Sequence, residues 1–271
     1  MIIKKILNIK KTDIIIEPSA GNGAFIEDLN KLSDKCLFMD IKPENSTSVK
    51  DIIIEYDYLK FNINSKKRDI NNDTKIHIIG NPPFGRQSSL AIKFIKKSCE
   101  FCDTLSFILP KSFKKESLKK HFPLNFHLIH EIDLPKYSFN VSSGTDRLSE
   151  LNERIKHDVP CIFQIWIKKD TERIIEDKLF PLNFDFVKIT DNPDISFRRV
   201  GGTAGYVDKD YQNKSIQSHH FIKFNDQIKN KIKLEKIIEK LNNIKYDFNN
   251  TVGPKSLSKQ EIIYNIEKLL N

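Results

Sequence analysis

The first 110 residues alternate short apolar runs with polar stretches of helical spacing, and this rhythm constrains the fold more than any other feature. Each run is almost continuously apolar, which is typical of parallel strands buried on both faces. The predicted strands are residues 14–17, 36–40, 52–57, 76–80, 105–109, 127–134 and 161–168. Because the early strands alternate with helical segments, the sequence predicts an open, doubly wound α/β sheet.

The sequence changes character after Lys169, where prolines and a glycine cluster interrupt short apolar runs. We therefore predict two domains, residues 1–169 and a C-terminal extension of residues 170–271. The extension is expected to contain a helix over residues 226–245. It is also expected to contain a last helix whose N-cap, Ser258, forms a capping box with Glu261.

Two local features of the first domain are predicted from residue type. Ser88 or Ser89 is expected to cap a helix whose apolar face begins at Leu90, because a serine side chain can accept from backbone N–H groups there. Residues 137–159 are largely polar and are predicted to form a loop.

Composition limits the classes of function. The chain has 271 residues, a net charge of +9 and four cysteines. The charge favours a polyanionic partner such as a nucleic acid. The apolar runs are too short to cross a bilayer, which predicts a soluble protein without a membrane partner. The low cysteine content and a start without a signal peptide predict a reducing, cytoplasmic location.

A glycine-containing turn follows the first strand, in the segment Glu17-Pro-Ser-Ala-Gly-Asn-Gly23. Glycines at positions 21 and 23 would let the backbone approach a bound ligand closely. Such a turn is also compatible with an ordinary connection between a strand and a helix that binds nothing.

Three acids end three successive strands: Glu17, Asp40 and Asp57. Ligands of open α/β sheets bind beyond the carboxyl ends of the strands, so these acids are expected to converge on one crevice. A carboxylate at Asp40 suits a ribose diol, and one at Asp57 can accept from an exocyclic adenine amine, with Tyr58 or Leu59 against the ring. Each acid alone could be an exposed turn residue.

The fourth strand ends in Asn81-Pro82-Pro83-Phe84. Two prolines exclude a central strand or helix interior, so the segment is predicted to be a stiff loop. Its parts suit a planar amine, because Asn81 offers a side-chain oxygen, Pro82 offers a carbonyl, and Phe84 offers a stacking face.

These motifs resemble those of class I S-adenosylmethionine-dependent methyltransferases of the amino-methylating kind, in particular the adenine-N6 branch. Residues 17–23 resemble the methionine-binding loop of that family, and residues 81–84 resemble its catalytic motif. The resemblance covers roughly residues 12–169 and implies a Rossmann-like, seven-stranded sheet. Ser19 departs from the glycine that many class I enzymes have at this position.

The resemblance implies S-adenosylmethionine as the cofactor and no metal. The residues it places at the cofactor are Glu17, Pro18, Ser19, Gly21, Gly23, Asp40, Asp57, Tyr58 and Asn81. The catalytic group would be Asn81, Pro82 and Phe84, which would hold the target amine and stabilise the positive charge that it gains.

The expected reaction is transfer of a methyl group to N6 of adenine in a nucleic acid, with DNA slightly favoured over RNA. RNA adenine, including an mRNA 5′ end, and guanine N2 are the alternatives within the family. A rival of another class is a non-catalytic nucleic-acid-binding subunit, which the intact motifs disfavour.

Two basic groups are candidates for phosphate contacts. One comprises Lys111, Lys114, Lys115, Lys119 and Lys120, and the other comprises Arg198 and Arg199. A solvated helix face explains the first group equally well, and a surface turn is the simpler explanation of the second. Cys99 and Cys102 have no second cysteine pair nearby, so buried helix cysteines explain them better than a metal site does.

Overall fold

A computed structural model describes residues 2–43, 51–63, 73–135, 138–142, 154–157, 160–175, 177–246, 248 and 254–270, with the backbone alone described for residues 139–142 and 154–157. The chain divides into two compact units, Met1–Ile174 and Ile175–Asn271. Each unit has its own hydrophobic core.

The first unit is built on a seven-stranded sheet. Its strands are β1 (Ile14–Glu17), β2 (Lys35–Asp40), β3 (Ile53–Glu55), β4 (Ile76–Gly80), β5 (Thr104–Pro110), β6 (Phe126–Asp133) and β9 (Cys161–Lys168). They lie in the order β3-β2-β1-β4-β5-β9-β6. The first five are mutually parallel, and β9 runs antiparallel to both of its neighbours. The predicted doubly wound, mostly parallel seven-stranded sheet is confirmed.

Helices and core residues cover both faces of this sheet. The helices are α1 (Ile2–Ile6), α2 (Ile26–Asn30), α3 (Ser89–Cys99) and α4 (Glu116–Lys119). Neighbouring residues of β1 point to opposite faces, so Ile15 packs in the cluster with α1 and α2, whereas Ile16 packs in the cluster with α3. Both are fully buried. Burial on both faces explains why the sequence of each strand is continuously apolar.

The segment predicted to be a polar loop contains a β-hairpin. Its strands β7 (Phe139–Ser142) and β8 (Arg154–His157) pair antiparallel. The prediction was wrong because each strand has only four residues, so the alternation of Phe139 and Val141 with polar neighbours is too short to be distinctive. The residues between the two strands lie outside the part of the chain that the structure describes.

The predicted serine cap of α3 was also wrong. Ser88 has a left-handed backbone (φ 61°), and its side chain makes no capping hydrogen bond. The carbonyl of Phe84 instead accepts from the N–H groups of Leu90 (3.1 Å) and Ala91 (3.3 Å). The loop that precedes the helix therefore supplies the cap with its own backbone.

The second unit packs three helices against a four-stranded antiparallel sheet. Its elements are β10 (Phe184–Val187), β11 (Ile195–Arg198), β12 (Val207–Asp208), β13 (His219–Phe224), α5 (Asp226–Lys231), α6 (Leu234–Asn242) and α7 (Lys259–Leu270). The strand order is β10-β13-β11-β12. One face of the sheet and the apolar sides of the helices form a single core that includes Phe197, Ile222, Leu241 and Ile262.

The helix predictions for the second unit were partly correct. The capping box of α7 is confirmed, since Ser258 Oγ accepts from Glu261 N–H (3.3 Å) and the Glu261 carboxylate accepts from Ser258 N–H (2.8 Å). The helix predicted over residues 226–245 is two helices, because the backbone at Ile232 is extended (φ −137°, ψ 129°). Among the described residues, no helix combines the length and apolar character needed to span a bilayer.

A buried polar group joins the amino ends of three central strands. Asp13 accepts from the N–H groups of Lys10 (2.7 Å) and Lys75 (3.1 Å), and its carboxylate lies 3.3 Å from His77 Nε2. His77 Nδ1 lies 2.7 Å from the hydroxyl of Thr104. Burial alone raises the pKa of Asp13, but these hydrogen bonds outweigh burial and hold the pKa below its usual value. Burial lowers the pKa of His77, so the imidazole is neutral and donates to Asp13.

We expect Asp13→Ala to lower the free energy of unfolding by about 3 kcal/mol, because it leaves the buried His77 and the part-buried N–H groups of Lys10 and Lys75 without their acceptor. The measurement is urea unfolding followed by circular dichroism. Asp34→Ala is the matched control, since Asp34 pairs with Lys11 while its side chain stays 72% exposed. That change should cost less than about 0.5 kcal/mol. Equal effects of the two substitutions would contradict the structural role of Asp13.

Candidate active site

A cavity of about 800 Å³ opens at the carboxyl ends of β1, β2 and β4. The residues of the sequence prediction that line it are Glu17, Pro18, Ser19, Gly21, Asp40, Asp57, Tyr58 and Asn81. Gly23, Pro82 and Phe84 belong to the same two loops. The strand order changes direction between β1 and β4, which is where ligands of open α/β sheets bind.

The loop after β1 is shaped by the carboxylate of Asp40. Asp40 Oδ2 accepts from Gly21 N–H (2.8 Å), and Oδ1 accepts from Lys42 N–H (2.8 Å). Gly21 and Gly23 both have positive φ (54° and 79°), a conformation that a side chain would strain. A carboxylate oxygen can accept two hydrogen bonds, so Asp40 can still receive a donor from a ligand while it holds the loop.

Glu17 is an almost fully buried acid beside this loop. Its residue exposure is 2%, and its Oε2 contacts no hydrogen-bond partner within the described part of the chain. Burial, and secondly the negative charge of Asp40, raise the pKa of Glu17 to about 8. A cationic donor at this position would favour the ionised carboxylate and supply the missing partner.

The loop after β4 lies directly against the loop after β1. A side chain on Gly80 would meet Pro18 Cδ at 3.3 Å, so the small residue permits the close approach. The hydroxyl of Ser19 donates to the Asn81 carbonyl (2.9 Å) and fixes the two loops to each other. Many class I enzymes have a glycine at this position, and the serine of this chain makes a hydrogen bond that a glycine could not make.

Asn81 presents an unsatisfied acceptor. Its side-chain Oδ1 is buried and has no hydrogen-bond partner among the described residues. A buried polar atom without a partner costs roughly 1–3 kcal/mol, so this oxygen, at the wall of the cavity, is free to accept from a ligand donor or from water. An amine is a donor of the required kind.

The remainder of the second loop is conformationally restricted. Pro82 is buried and Phe84 is half-buried. Gly85, Gln87 and Ser88 all have positive φ (68°, 52° and 61°). Left-handed backbone at non-glycine residues is unfavourable and is found preferentially at functional loops.

Tyr58 is placed differently from the other predicted residues. It is 1% exposed, its ring stacks on Phe94 at 5.3 Å, and its hydroxyl hydrogen-bonds Ser98 (2.7 Å). Its ring is therefore part of the core. Leu59, the other apolar side chain predicted here, also lines the cavity. Asp57 accepts from Leu59 N–H (3.1 Å), which holds the turn that carries both residues.

The lysines after β5 are largely paired with acids. Lys111 (3.1 Å) and Lys114 (2.7 Å) contact the carboxylate of Asp133, and Lys119 contacts Glu116 (3.0 Å). The hydrogen bond from Lys114 is the main cause that holds the pKa of Asp133 below its usual value. These pairs reduce the positive potential of the group. Of the other two lysines in the predicted group, Lys115 is half-buried and Lys120 is exposed.

Arg198 and Arg199 lie in the second unit, at the end of β11. Cys99 and Cys102 are buried free thiols at the end of α3. Within the described ranges, no group of three or more His, Cys, Asp or Glu side chains is arranged to hold a metal ion.

Several residues that line the cavity were missed from the sequence. They are Ala20, Asn22, Ala24, Phe25, Ile41, Pro83, Leu90, Phe94, Ile108, Leu134 and Ser138. Ile41 directly follows β2 and Leu134 directly follows β6. Their positions after strands could have predicted that they lie at the cavity. Ala20, Asn22 and Pro83 lie inside the two motifs but were not predicted to contact a ligand, and no motif marks the remaining residues.

No family model matches the chain. Ribosomal RNA small subunit methyltransferase A of Francisella tularensis subsp. novicida (strain U112) is 34% identical over 125 residues, which is 41% of this chain and 45% of that protein. The same protein of F. tularensis subsp. tularensis (strain SCHU S4) matches to the same extent. The chain thus spans about half the length of the curated relatives it matches.

Solved structures resemble the chain more distantly. The 23S rRNA methyltransferase ErmE has a TM-score of 0.42 and 11% identity, with 64% of this chain and 68% of that chain covered. A dimethyladenosine transferase from Plasmodium falciparum has a TM-score of 0.38 and 18% identity, with 62% of each chain covered.

We expect Gly85→Ala to destabilise the protein by roughly 2–3 kcal/mol, because the new Cβ would meet Leu90 Cγ at 2.8 Å in a backbone conformation of positive φ. Gly202→Ala is the control, since a Cβ there meets nothing within 4 Å. Chemical unfolding of both variants measures the difference. If Gly85→Ala is as stable as the control, the loop does not require this conformation.

Proposed function

We propose that the chain is an S-adenosylmethionine-dependent methyltransferase that methylates N6 of adenine in RNA. The observation that carries the proposal is the buried Oδ1 of Asn81, which has no partner in the described part of the chain and lies at the cavity that Glu17 and Asp40 also line. It is an acceptor that an exocyclic amine would satisfy. The intact cavity and both loops argue against a non-catalytic binding subunit.

The residues of the cavity suit this cofactor. S-adenosylmethionine supplies an electrophilic methyl group on a sulfonium centre. The carboxylate of Glu17 would receive the cationic amino group of the methionine part, which gives its orphaned oxygen a partner. The two backbone contacts of Asp40 leave lone pairs free on its carboxylate, and these would accept from the ribose hydroxyls. Asp57 would accept from the adenine amine.

The loop after β4 would hold the target. Asn81 Oδ1 and the Pro82 carbonyl would accept the two hydrogens of the adenine amine, while the half-buried ring of Phe84 would stack on the base. These hydrogen bonds strengthen as the nitrogen gains positive charge, so they stabilise the transition state more than the ground state. The proton can leave to water afterwards, and no general base is needed. Ser19 would act as a positioning residue because it holds the Asn81 backbone.

RNA is the substrate class that we favour. The curated relatives that match are named for ribosomal RNA, and they support RNA over the DNA preference inferred from sequence. The net charge of +9 supports a polyanion in general. Adenine N6, rather than guanine N2, rests on the resemblance of residues 17–23 to adenine enzymes.

The raised pKa of Glu17 predicts that cofactor binding releases a proton. With a pKa of about 8, Glu17 is mostly protonated at pH 7 in the free protein, and a bound cation should lower that pKa. We expect release of about 0.9 proton per S-adenosylmethionine at pH 7. Calorimetric titration in two buffers of different ionisation enthalpy measures this number.

Glu17→Gln is the control for proton release, because it keeps the shape of the side chain but cannot titrate. In this variant we expect the protons that Glu17 releases to be absent. Any protons that the ligand itself gains or loses on binding should still be measured. If wild type and Glu17→Gln release the same number, Glu17 does not contact the cationic group.

Asn81→Ala should cut single-turnover methyl transfer by about 10²–10³, the effect typical of removing one preorganised polar partner of a transition state. Cofactor affinity should change less than twofold. The assay uses adenine-containing RNA and DNA pools with nucleoside mass spectrometry of the product. Asn30→Ala is the matched control, since Asn30 is an exposed asparagine at the end of α2.

Two outcomes would contradict this assignment in different ways. If wild type forms no N6-methylated adenosine or deoxyadenosine on any pool, adenine is not the target. If wild type is active and Asn81→Ala is equally active, the reaction does not depend on the Asn81 amide.

A further inference from the structure

The second unit contains a cleft that the proposed chemistry does not use. It encloses about 290 Å³ and lies beside β11, β12 and β13. Its lining includes Arg198, Thr203, Tyr206, Asp208, Lys214 and His219. Most of these side chains are hydrogen-bond donors, and two carry a permanent positive charge.

Strand alternation places Arg198 on the cleft side of the sheet. Ile195 and Phe197 of β11 face the core of the second unit, so Ser196 and Arg198 face the opposite side. Arg198 Nε donates to the Val200 carbonyl (3.2 Å), which fixes the guanidinium at the cleft.

The outer nitrogens of Arg198 are available to a ligand. Over the part of the chain that the structure covers, no carboxylate lies within ion-pair distance of this guanidinium. Arg198 Nη2 lies 3.1 Å from the position that a Cβ on Gly201 would take, so only a glycine leaves this space open. Gly201 has a positive φ of 106°, which turns the chain around the guanidinium.

The charged groups near His219 include the cations Arg198 and Lys214. Burial lowers the pKa of His219, and the charges of Arg198 and Lys214 lower it further, although a hydrogen bond with the Ser215 carbonyl opposes them. Lys214 contacts the carboxylates of Asp208 (3.0 Å) and Asp210 (3.9 Å), whereas Arg198 has no acidic partner among the described residues. An anion in the cleft would satisfy Arg198 and would favour the protonated imidazole.

We propose that this cleft binds a phosphate group, with Arg198 as its charged ligand, Thr203 as a further donor, and His219 as a donor when its imidazole is protonated. The exposed ring of Tyr206, which is 53% accessible, offers a stacking face for a neighbouring base. The inference rests on the proposed function for its source of phosphate, the backbone of an RNA substrate. Free phosphate has the same chemistry and is the alternative source.

The geometry separates Arg198 from its neighbour in sequence. Arg199 Nη2 donates to the Gln217 carbonyl (2.7 Å). Its charge, after burial and Lys259, lowers the pKa of His220 to about 4. His219 and His220 alternate along β13, so the two arginines act on opposite faces of the sheet. Both arginines donate to a backbone carbonyl, but of the two it is Arg198 that lines the cleft, so Arg198 is the candidate ligand.

The first test measures binding of a fluorescein-labelled 12-nucleotide single-stranded RNA to the full chain, without cofactor, over a range of salt concentrations. Arg198→Ala should weaken binding about fivefold to tenfold and reduce the log–log salt slope by about 1. Arg199→Ala removes the same charge one residue away and should change affinity less than twofold. Equal losses in the two variants, or no loss in Arg198→Ala, would overturn the proposal.

The second test uses wild-type protein, so it does not depend on how Arg198→Ala folds. The pKa of His219 is followed by NMR with inorganic phosphate and, separately, with the 12-nucleotide RNA. The groups near His219 include Arg198, Lys214 with its partners Asp208 and Asp210, the Ser215 carbonyl and the Ser218 hydroxyl, and an added anion should raise the pKa of His219.

The two ligands distinguish the sources. A rise with RNA supports the backbone as ligand, whether or not phosphate also acts. A rise with phosphate alone overturns the RNA source, and no rise with either ligand overturns the site. Methyl transfer by wild type is measured separately, so an inactive enzyme whose His219 responds to RNA would refute the proposed function and leave this site standing.

Discussion

The parallel pairing of β1 with β2 on one side and β4 on the other is the constraint on which the candidate site depends. Because the three strands run in the same direction, the loops that follow them open at one edge of the sheet. Glu17, Asp40 and Asn81 come together there although they are far apart in the sequence. Two contacts then fix the loops: Asp40 with the Gly21 N–H, and the Ser19 hydroxyl with the Asn81 carbonyl.

The crevice concentrates acids in a chain whose net charge is +9. Burial of Glu17 beside Asp40 raises its pKa from an ordinary 4.5 to about 8. The folded state therefore binds a proton that the unfolded state releases, so Glu17 costs stability as the pH rises from about 4.5 to 8. A cationic ligand offsets that cost. The cost of ionising Glu17 in the free protein therefore favours the binding of a cationic ligand over a neutral one.

Much of the fold could be predicted because strands buried on both faces have a distinctive sequence. β1 and β4 begin and end where continuous apolar runs predict, and the acids that end β1 and β2 were identifiable from the same pattern. The helix cap was missed because it depends on the Phe84 carbonyl, a backbone group that no residue type marks. The β7–β8 hairpin was missed because its strands have no strong periodicity.

The candidate site was predictable to the extent that chemistry is encoded in short motifs. The motifs located Asn81 and Glu17, but they could not show that each carries a buried oxygen with no partner among the residues that the structure describes. They could not show that the Tyr58 ring packs against Phe94, because that contact joins segments distant in sequence. Long-range contacts of this kind follow from the tertiary fold, whereas a motif reports only its own neighbourhood.

The same distinction applies to the basic residues. In the sequence all lysines look alike. In the structure, Lys111 and Lys114 share the carboxylate of Asp133, a residue of β6. A cation with an acidic partner must lose or share that partner before it can bind a phosphate. Replacing one ion pair by another gains little free energy. Arg198 has no such competitor among the described residues. The pairing state of each cation, which the fold determines, therefore indicates a phosphate site better than the net charge does.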